Sequence, residues 1–307
     1  MAERLTKKQR RDETQAKLAA MRAAQARRER RAKLFTAIAA VVSVLLVVGV
    51  FVVIKLNSNG TKAKSASTTA APASVISGVT NVSPATFNAV GAGTIQTPPT
   101  AMKNAEAITA DGKPRVLYVG AEYCPFCAAE RWPMTVALSR FGTFSGLGIT
   151  SSSASDTDPN TPTLSFHGAT FASDTLSFTG YETTTNQQQA DGSYPTLDTP
   201  SAADEALLKK YDYPPYVDSN SGGSIPFVNI GGKWLISGAS YDPAILAGKT
   251  QQQVVDAIND PTTEISKAVV GTANVITAAI CQVTANAPAD VCTSPGVKAG
   301  AAKLTSG

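Results

Sequence analysis

The longest uninterrupted hydrophobic stretch of the chain runs from residue 34 to residue 54. These 21 residues, LFTAIAAVVSVLLVVGVFVVI, include no charged side chain. At 1.5 Å per residue, a helix of this length spans roughly 31 Å, about the thickness of the bilayer hydrocarbon core. A cleaved signal peptide would have a shorter apolar region followed by a small-residue cleavage site, but Lys55 follows here directly. The pattern predicts a transmembrane signal anchor that stays attached.

Charge is distributed unequally on the two sides of this stretch. Residues 1–33 hold twelve of the 27 Lys and Arg residues but only four of the 23 Asp and Glu residues, so the remainder is net acidic. The positive-inside rule places such a basic tail in the cytoplasm. We therefore expect a single-pass cell-membrane protein with a cytoplasmic N-terminus and an extracytoplasmic C-terminal domain. The tail is expected to set this topology and to lie on the membrane, not to bind nucleic acid.

The segment after the anchor changes in composition. Residues 55–79 are rich in Ser, Thr, Ala and Asn, which predicts a flexible linker. The following residues 80–260 are enough for one domain with its own core. Residues 261–307 read as a C-terminal helix, a disulfide-tied segment and a tail.

Hydrophobic patterning predicts a strand followed by a helix near the start of this domain. The apolar run Arg115–Gly120 suits a strand buried on both faces. Pro125 through Arg140 reads as a helix, with proline at its favoured first position. Cys124 and Cys127, in the sequence AEYCPFC, lie where the strand ends and the helix begins.

A second strand pattern lies about a hundred residues later. Residues 223–239 read as strand, Gly-Gly turn and strand, and a helix is expected from about Asp242. Between the two patterns lies the long segment 142–222. Its two LSF triplets, at 164–166 and 176–178, suggest a hairpin, and a helix is expected around Ala202–Lys210.

The position of the two cysteines indicates thiol chemistry. A cysteine that caps a helix faces free N–H groups and the positive end of the helix dipole, which lowers its pKa from about 8.5. Cys127, one turn further on, could then resolve a mixed disulfide at Cys124. A zinc site would need four suitably spaced ligands, and the chain has four Cys and one His, His167, in an expected exposed turn. A purely structural staple is the other alternative, although so short a loop gives little entropic stabilisation.

The other two cysteines lie near the C-terminus. Cys281 ends a long apolar helix, and Cys292 follows the helix-breaking sequence APADV. A structural disulfide between Cys281 and Cys292 is the expected arrangement, and a second redox pair that relays electrons is the alternative. Residues 293–307 look like a frayed tail.

Both halves of the domain resemble the thioredoxin superfamily: strand, C-x-x-C and helix, then Ile-Pro, a β-hairpin and a last helix. The resemblance implies that Pro226 is a cis proline beside the dithiol and that Ile225 presents its backbone to a substrate peptide. The longer motifs GAEYCPFCAAERW, ALSRFGTF and TPTLSFHGATF resemble the membrane-anchored family called domain of unknown function 929, over roughly residues 80–260.

The chain departs from the thioredoxin pattern in two respects. Many thioredoxins bury an aspartate beneath the dithiol, whereas the matching position here is Tyr118. Glu122 or Glu130 could carry out the proton transfer instead, or both could be solvated surface charges. The segment 142–222 is also longer than the usual connection and is interpreted as an inserted lobe over the site. The predicted fold class is therefore α/β, thioredoxin-like, with an inserted lobe and a C-terminal helical extension after a single transmembrane helix.

The resulting hypothesis is an extracytoplasmic, membrane-anchored thiol–disulfide oxidoreductase that acts on protein cysteines. Cys124 and Cys127 are the catalytic pair, and Ile225 and Pro226 shape the substrate groove. No cofactor or metal is expected. The implied partners are protein thiol or disulfide substrates and a membrane redox partner that resets the dithiol. The alternative is a non-catalytic thioredoxin-like module that binds an envelope protein.

Overall fold

The computed structural model describes residues 68–304, which form a mixed α/β fold. The predicted cytoplasmic tail, residues 1–33, and the predicted signal anchor, residues 34–54, lie outside the described residues. The strands, in chain order, are β1 (Thr69–Ala70), β2 (Thr100–Ala101), β3 (Thr109–Ala110), β4 (Lys113–Gly120), β5 (Thr143–Ser145), β6 (Gly148–Ser151), β7 (Pro162–Ser165), β8 (Thr170–Ala172), β9 (Ser177–Glu182), β10 (Phe227–Ile230) and β11 (Trp234–Ser237).

The helices alternate irregularly with these strands. A 3₁₀ helix, Pro243–Leu246, precedes the C-terminal helices, so the helix expected from Asp242 is divided into two elements. The α-helices are α1 (Ala73–Thr80), α2 (Pro84–Val90), α3 (Pro125–Leu138), α4 (Ala202–Tyr211), α5 (Gln251–Asn259), α6 (Glu264–Val283), α7 (Ala289–Cys292) and α8 (Pro295–Ala301).

The main sheet has β4 at its centre. β10 pairs antiparallel with β4, β11 pairs antiparallel with β10, and β2 lies at that edge. On its other side β4 pairs parallel with β9 along residues 115–120, and with the short β3 at its first two residues. The hairpin between β10 and β11 turns through Gly231 and Gly232, whose positive φ angles of 64° and 73° favour glycine.

The side chains of β4 point alternately to two hydrophobic clusters. Val116 and Tyr118 join the larger cluster, which includes residues of α3 and α6. Leu117 and Val119 join a smaller cluster on the opposite face, which includes Tyr211 of α4. Because successive residues of a strand face opposite sides, burial on both faces requires the continuous apolar run seen in the sequence.

Helix α6 lies within the larger cluster. It is the one helix in residues 68–304 that is long and apolar enough to cross a membrane, but 89% of its apolar window is buried within the protein. Its apolar residues therefore pack in the core of this fold. Two of them, Val269 and Ile276, are completely buried.

The two LSF triplets do not form the hairpin that the sequence suggests. β7, which includes Leu164, pairs with β6 in a three-stranded sheet completed by β1. The second triplet leads into β9, which joins the main sheet beside β4. The prediction was wrong because local alternation does not reveal which strand each apolar run pairs with.

Residues 55–67 of the predicted flexible linker lie outside the described residues, and its last part is helical. α1 begins at Ala73, and its Val75 and Val79 are 2% and 0% exposed. These residues are four apart and therefore lie on one helix face, which packs against α5. The composition of the segment is that of a linker, but two valines at helical spacing are enough to fix its end to the domain.

The predicted frayed tail, residues 293–307, is also ordered over most of its length. Residues 295–301 form α8, which packs on α6, and its Val297 is 2% exposed. A Cβ atom at Gly296 would lie 2.5 Å from the carbonyl oxygen of Phe87, so glycine permits this close approach. The sequence has few apolar residues here and therefore does not indicate a helix. The helix packs against the protein through small residues.

Candidate active site

The turn after β4 places Cys124 at the first position before helix α3. The backbone N–H of Cys124 donates to the carbonyl oxygen of Ala121 at 3.3 Å, and Pro125 begins the helix. The Sγ atom of Cys124 accepts a hydrogen bond from the backbone N–H of Cys127 at 3.2 Å. Cys124 is therefore the N-cap of α3, and its sulfur occupies the place where a capping oxygen is usually found.

The segment before β10 lies opposite this turn. β10 runs antiparallel to β4, with Phe227 opposite Val119, so the start of β10 lies beside the end of β4. The peptide bond between Ile225 and Pro226 is cis. The Sγ atom of Cys124 lies 3.7 Å from the carbonyl oxygen of Ile225. The four residues named by the sequence, Cys124, Cys127, Ile225 and Pro226, thus meet at one end of the sheet.

The two thiols differ in accessibility. Cys127 is completely buried, whereas Cys124 retains 4% of its exposure. Phe126, between them, is 43% exposed. Both thiols are thus buried, and Cys124, next to an exposed aromatic ring, is the less buried of the two.

The thiols also differ in acidity. The pKa of Cys124 is lowered, chiefly by its hydrogen bond with the Cys127 side chain, and also by the backbone N–H of Cys127 and by the charge of Arg131. Burial raises the pKa of Cys127 well above its ordinary value, and the neighbouring Cys124 adds to this. When the pair is reduced, Cys124 therefore loses its proton more readily than Cys127.

Tyr118 of β4, which the sequence resemblance matches to the buried aspartate of many thioredoxins, lies close enough to both cysteines for their charges to raise its pKa. It is completely buried, and its hydroxyl group has no hydrogen-bond partner among the described residues. Burial raises its pKa well above its ordinary value. The phenol remains neutral and does not replace a buried carboxylate as a base.

Neither of the two candidate acids is a solvated surface charge, because both Glu122 and Glu130 are completely buried. The Glu130 carboxylate accepts hydrogen bonds from the backbone N–H of Ser240 at 2.9 Å and from its hydroxyl at 3.2 Å. Burial raises the pKa of Glu130 to about 8. The Glu122 carboxylate accepts hydrogen bonds from the hydroxyls of Ser165, at 2.7 Å, and Thr68.

A buried ion pair that the sequence analysis did not identify lies close to the dithiol. Arg131 of α3 and Glu182 at the end of β9 are both 0% exposed. The Nε atom of Arg131 donates to Glu182 at 2.7 Å, and its Nη2 atom donates to the second carboxylate oxygen and to the carbonyl oxygen of Ala121. The available signal was the spacing, since Arg131 follows Cys127 by four residues and so lies on the same helix face.

The segment 142–222 contributes to the rim of the site. The ring of Tyr194 stacks on that of Tyr123, next to Cys124, with centroids 4.3 Å apart. The Tyr194 hydroxyl donates to the Ser153 hydroxyl at 3.0 Å, and the Ser153 N–H donates to the carbonyl of Tyr123 at 2.8 Å. These contacts fix the side of the turn that carries Cys124, and no local sequence signal predicts them.

The sequence predicts that His167 is an exposed turn residue, but the structure buries its side chain in part. Its side chain is 32% exposed, and its Nδ1 atom lies 2.7 Å from the carboxylate of Asp198. Within residues 68–304, no group of three or more His, Cys, Asp or Glu side chains is arranged to bind a metal ion.

The structure joins Cys281 and Cys292 in a disulfide bond. Cys281 lies in the last turn of α6, and Cys292 ends α7. The disulfide therefore ties the short helix α7 back to the core helix. The four cysteines form two separate pairs, one bonded and one free in this structure.

The described residues thus define a mixed α/β protein with a dithiol at a strand–helix junction. The model of the family described as Domain of unknown function (DUF929) matches residues 100–282, which is more than half of the chain. The protein belongs to this family. No curated protein and no solved structure matches the chain.

Proposed function

We propose that the protein is a membrane-anchored, extracytoplasmic thiol–disulfide oxidoreductase with a thioredoxin-like fold, acting on protein cysteines through Cys124 and Cys127. The observation that carries the proposal is the geometry of Cys124. Its sulfur accepts the N–H of Cys127 at 3.2 Å at a helix N-terminus and lies 3.7 Å from the carbonyl oxygen of Ile225. This combines a stabilised thiolate with a backbone segment at which a substrate chain could lie.

The strand order supports the thioredoxin-like fold. The chain passes from β4 through α3 to the parallel strand β9, then through α4 to β10 and β11. The main sheet consequently reads β9-β4-β10-β11, with the dithiol after β4 and Ile225-Pro226 before β10. The segment 142–222, interpreted from sequence as an inserted lobe, contributes β9 and α4 to this core, so residues 142–176 are the better match to an insertion.

The proposed reaction is a two-step exchange. In one direction, a substrate thiolate attacks the Cys124 sulfur of the oxidised pair, the Cys124–Cys127 bond breaks, and Cys127 takes up a proton. A second substrate thiolate then attacks the mixed disulfide at the substrate sulfur and releases the Cys124 thiolate. The substrate loses two electrons and two protons, the protein gains two electrons and one proton, and one proton enters the solvent. The reverse sequence reduces a substrate disulfide.

Burial of the dithiol favours the alternative, a non-catalytic binding module. With Cys124 at 4% exposure and Cys127 at none, a disulfide here could be inert. Against this, the lowered pKa of Cys124, due chiefly to its hydrogen bond with Cys127, is a property of reactive cysteines and serves no purpose in a permanent disulfide.

The decisive experiment uses the full chain purified in detergent. It is equilibrated with glutathione buffers, the oxidation state of Cys124 and Cys127 is read by differential alkylation and mass spectrometry, and oxidation of a reduced model protein and reduction of insulin are assayed. A measurable potential together with turnover that Cys124→Ala abolishes supports the proposal. A potential below about −300 mV, the range of structural disulfides, with no turnover would support the binding module.

The membrane anchorage is part of the proposal and has its own test. The proposal rests on the uncharged stretch 34–54 and the basic residues before it. In intact cells stripped of their outer layers, protease should cleave the C-terminal domain, while a tag placed at residue 1 stays protected. Protection of both ends would refute the proposed topology.

A further inference from the structure

The Arg131–Glu182 ion pair occupies an unusual position for a charged pair. Both side chains are 0% exposed, and the two carboxylate oxygens of Glu182 accept N–H groups of Arg131 in the two-pronged arrangement of a guanidinium–carboxylate pair. Burial raises the pKa of Glu182, and the adjacent Arg131 opposes this. Buried ion pairs contribute little net stability compared with apolar residues of similar volume. Stability alone therefore does not account for placing these charges at this point in the fold.

The pair is attached to the turn that holds the dithiol. The Nη2 atom of Arg131 donates to the carbonyl oxygen of Ala121 at 2.7 Å, and the same oxygen accepts the N–H of Cys124 at 3.3 Å. Arg131 also follows Cys127 by one helical turn on α3, and both are completely buried. The guanidinium group is therefore fixed relative to both sulfur atoms.

One end of the guanidinium group has no partner in the described residues. Its Nη1 atom is buried and makes no hydrogen bond. Buried donors are almost always paired, so this cationic N–H group calls for an explanation, and it is able to take a further acceptor. The nearby group that changes between neutral and anionic during thiol–disulfide exchange is the dithiol itself.

The other titratable groups around the dithiol do not provide such a positive charge. Tyr118 comes from β4, Glu122 and Tyr123 from the turn, and Glu182 from β9, and none of these can be a cation. Burial lowers the pKa of Arg131, but the adjacent Glu182 carboxylate reverses this, so the pKa lies well above its ordinary value. Arg131 therefore stays charged, and its field acts on both Cys124 and Cys127.

We infer that Arg131 is a positioning residue which Glu182 holds against the dithiol, and that its fixed positive charge stabilises the reduced, thiolate form and biases the pair towards oxidising substrate thiols. This inference rests on the proposed function and adds its direction. A dithiol whose reduced form is stabilised is a stronger oxidant. The favoured reaction takes two electrons from a substrate dithiol, forms the substrate disulfide, and leaves the thiolate on Cys124 and the proton on Cys127. A membrane redox partner of the quinone-linked or disulfide class then accepts the two electrons together with the Cys127 proton and one proton from the solvent, and the Cys124–Cys127 bond is restored.

The test exploits the opposite charges of the two partners. Glu182→Gln leaves Arg131 without its counter-charge, so the thiolate should be more stable. The equilibrium with glutathione should then shift about tenfold towards the reduced protein, which corresponds to about +30 mV. Arg131→Met removes the cation and should shift the same equilibrium about tenfold in the opposite direction. The pH at which alkylation of Cys124 is half-maximal should fall in Glu182→Gln and rise in Arg131→Met.

The chain offers a matched control in a second ion pair. Arg115 donates to Asp204 through two N–H groups, at 2.7 and 2.9 Å, and it lies near the beginning of β4, whereas the dithiol follows the end. Arg115→Met and Asp204→Asn should lower the melting temperature without moving the potential. All variants are measured as full chains in detergent, with circular dichroism to verify folding.

The outcomes separate the inference from the proposed function. Shifts of the same sign in Glu182→Gln and Arg131→Met, or no shift in Glu182→Gln, would overturn the inference even if the wild type turns over substrate. If Arg131→Met does not fold, Glu182→Gln decides the question alone. Its glutathione equilibrium is expected to shift towards the reduced protein, opposite to the shift expected when the positive charge at the dithiol is lost. A dithiol that no glutathione buffer reduces would instead overturn the proposed function.

Discussion

The sulfur of Cys124 lies 3.7 Å from the backbone carbonyl oxygen of Ile225, a residue 101 positions further along the chain. The contact exists because β10 runs antiparallel to β4, so that the end of one strand lies beside the start of the other. Two distant segments, a helix N-terminus and the Ile-Pro segment, thereby meet at the sulfur of Cys124.

Removing Cys127, the proposed resolving thiol, should trap a covalent intermediate. In Cys127→Ala, Cys124 is retained and should form a mixed disulfide that no internal thiol releases. We expect Cys127→Ala to accumulate mixed disulfides with a substrate protein at least about tenfold above the wild type, as measured on non-reducing gels and by mass spectrometry. Cys124→Ala is the matched control and should trap none. Equal trapping by both variants would contradict the assignment of Cys124 as the attacking sulfur.

Glu130 should make the stability of the protein depend on pH. Burial raises its pKa from an ordinary value of 4.5 to about 8. Between these values the unfolded chain releases a proton that the folded protein keeps, so the free energy of unfolding falls as the pH rises. Glu130→Gln removes this effect while keeping an acceptor for the N–H of Ser240. Between about pH 5 and pH 8 the variant should gain on the order of a few kcal/mol relative to the wild type.

Urea unfolding at several pH values measures this difference. Glu205→Gln on α4 is the control, because Glu205 is an exposed carboxylate that pairs with Lys209 at the surface. Its unfolding free energy should follow that of the wild type at every pH. Parallel curves for the wild type and Glu130→Gln would show that Glu130 does not retain its proton in the folded protein.

The hydroxyl group of Tyr118 should be dispensable for both stability and catalysis. It is buried and has no hydrogen-bond partner in the described residues, so Tyr118→Phe removes a desolvated polar group at no cost in contacts. We expect an unchanged or slightly higher free energy of unfolding and unchanged turnover. Tyr241→Phe is the matched control, since the hydroxyl of Tyr241 donates to the carbonyl of Ala129 at 2.7 Å, and its loss should cost about 1 kcal/mol. A loss of turnover in Tyr118→Phe would assign the phenol a part in proton transfer.

The disulfide between Cys281 and Cys292 should act on stability alone. It closes a loop with a sequence separation of 11, and replacing both cysteines by alanine should lower the free energy of unfolding by about 3 kcal/mol. The same double variant should retain the glutathione equilibrium of Cys124 and Cys127. A changed rate of reoxidation of that pair would favour the alternative, in which Cys281 and Cys292 relay electrons.

Much of the site was predictable because its signals are local. Proline at the first helical position and cysteine just before it define the start of α3. The Gly231-Gly232 turn indicates the hairpin, and Ser201 caps α4 close to where the sequence places a helix. In each case a few adjacent residues determine the backbone conformation, so the pattern can be read without knowledge of the fold.

The misread elements depended on partners far away in the chain. Val75 and Val79 form part of a helix only because α5 provides a surface to bury them. Glutamate side chains usually lie on a solvated surface. Glu122 and Glu130 are instead buried, where Ser165 and Ser240 donate hydrogen bonds to them. A short polar or weakly apolar segment can be either exposed or buried, and the surrounding structure decides between the two.

By itself the sequence determined the order of strand, dithiol and helix, the hairpin that follows Ile225-Pro226, and membership of a family. Only the tertiary structure decided that β9 pairs with β4 and that Arg131 meets Glu182 next to the turn that carries Cys124. The reason is that helix caps and tight turns depend on neighbouring residues, whereas strand pairing and charge burial depend on the free energy of the whole packed core.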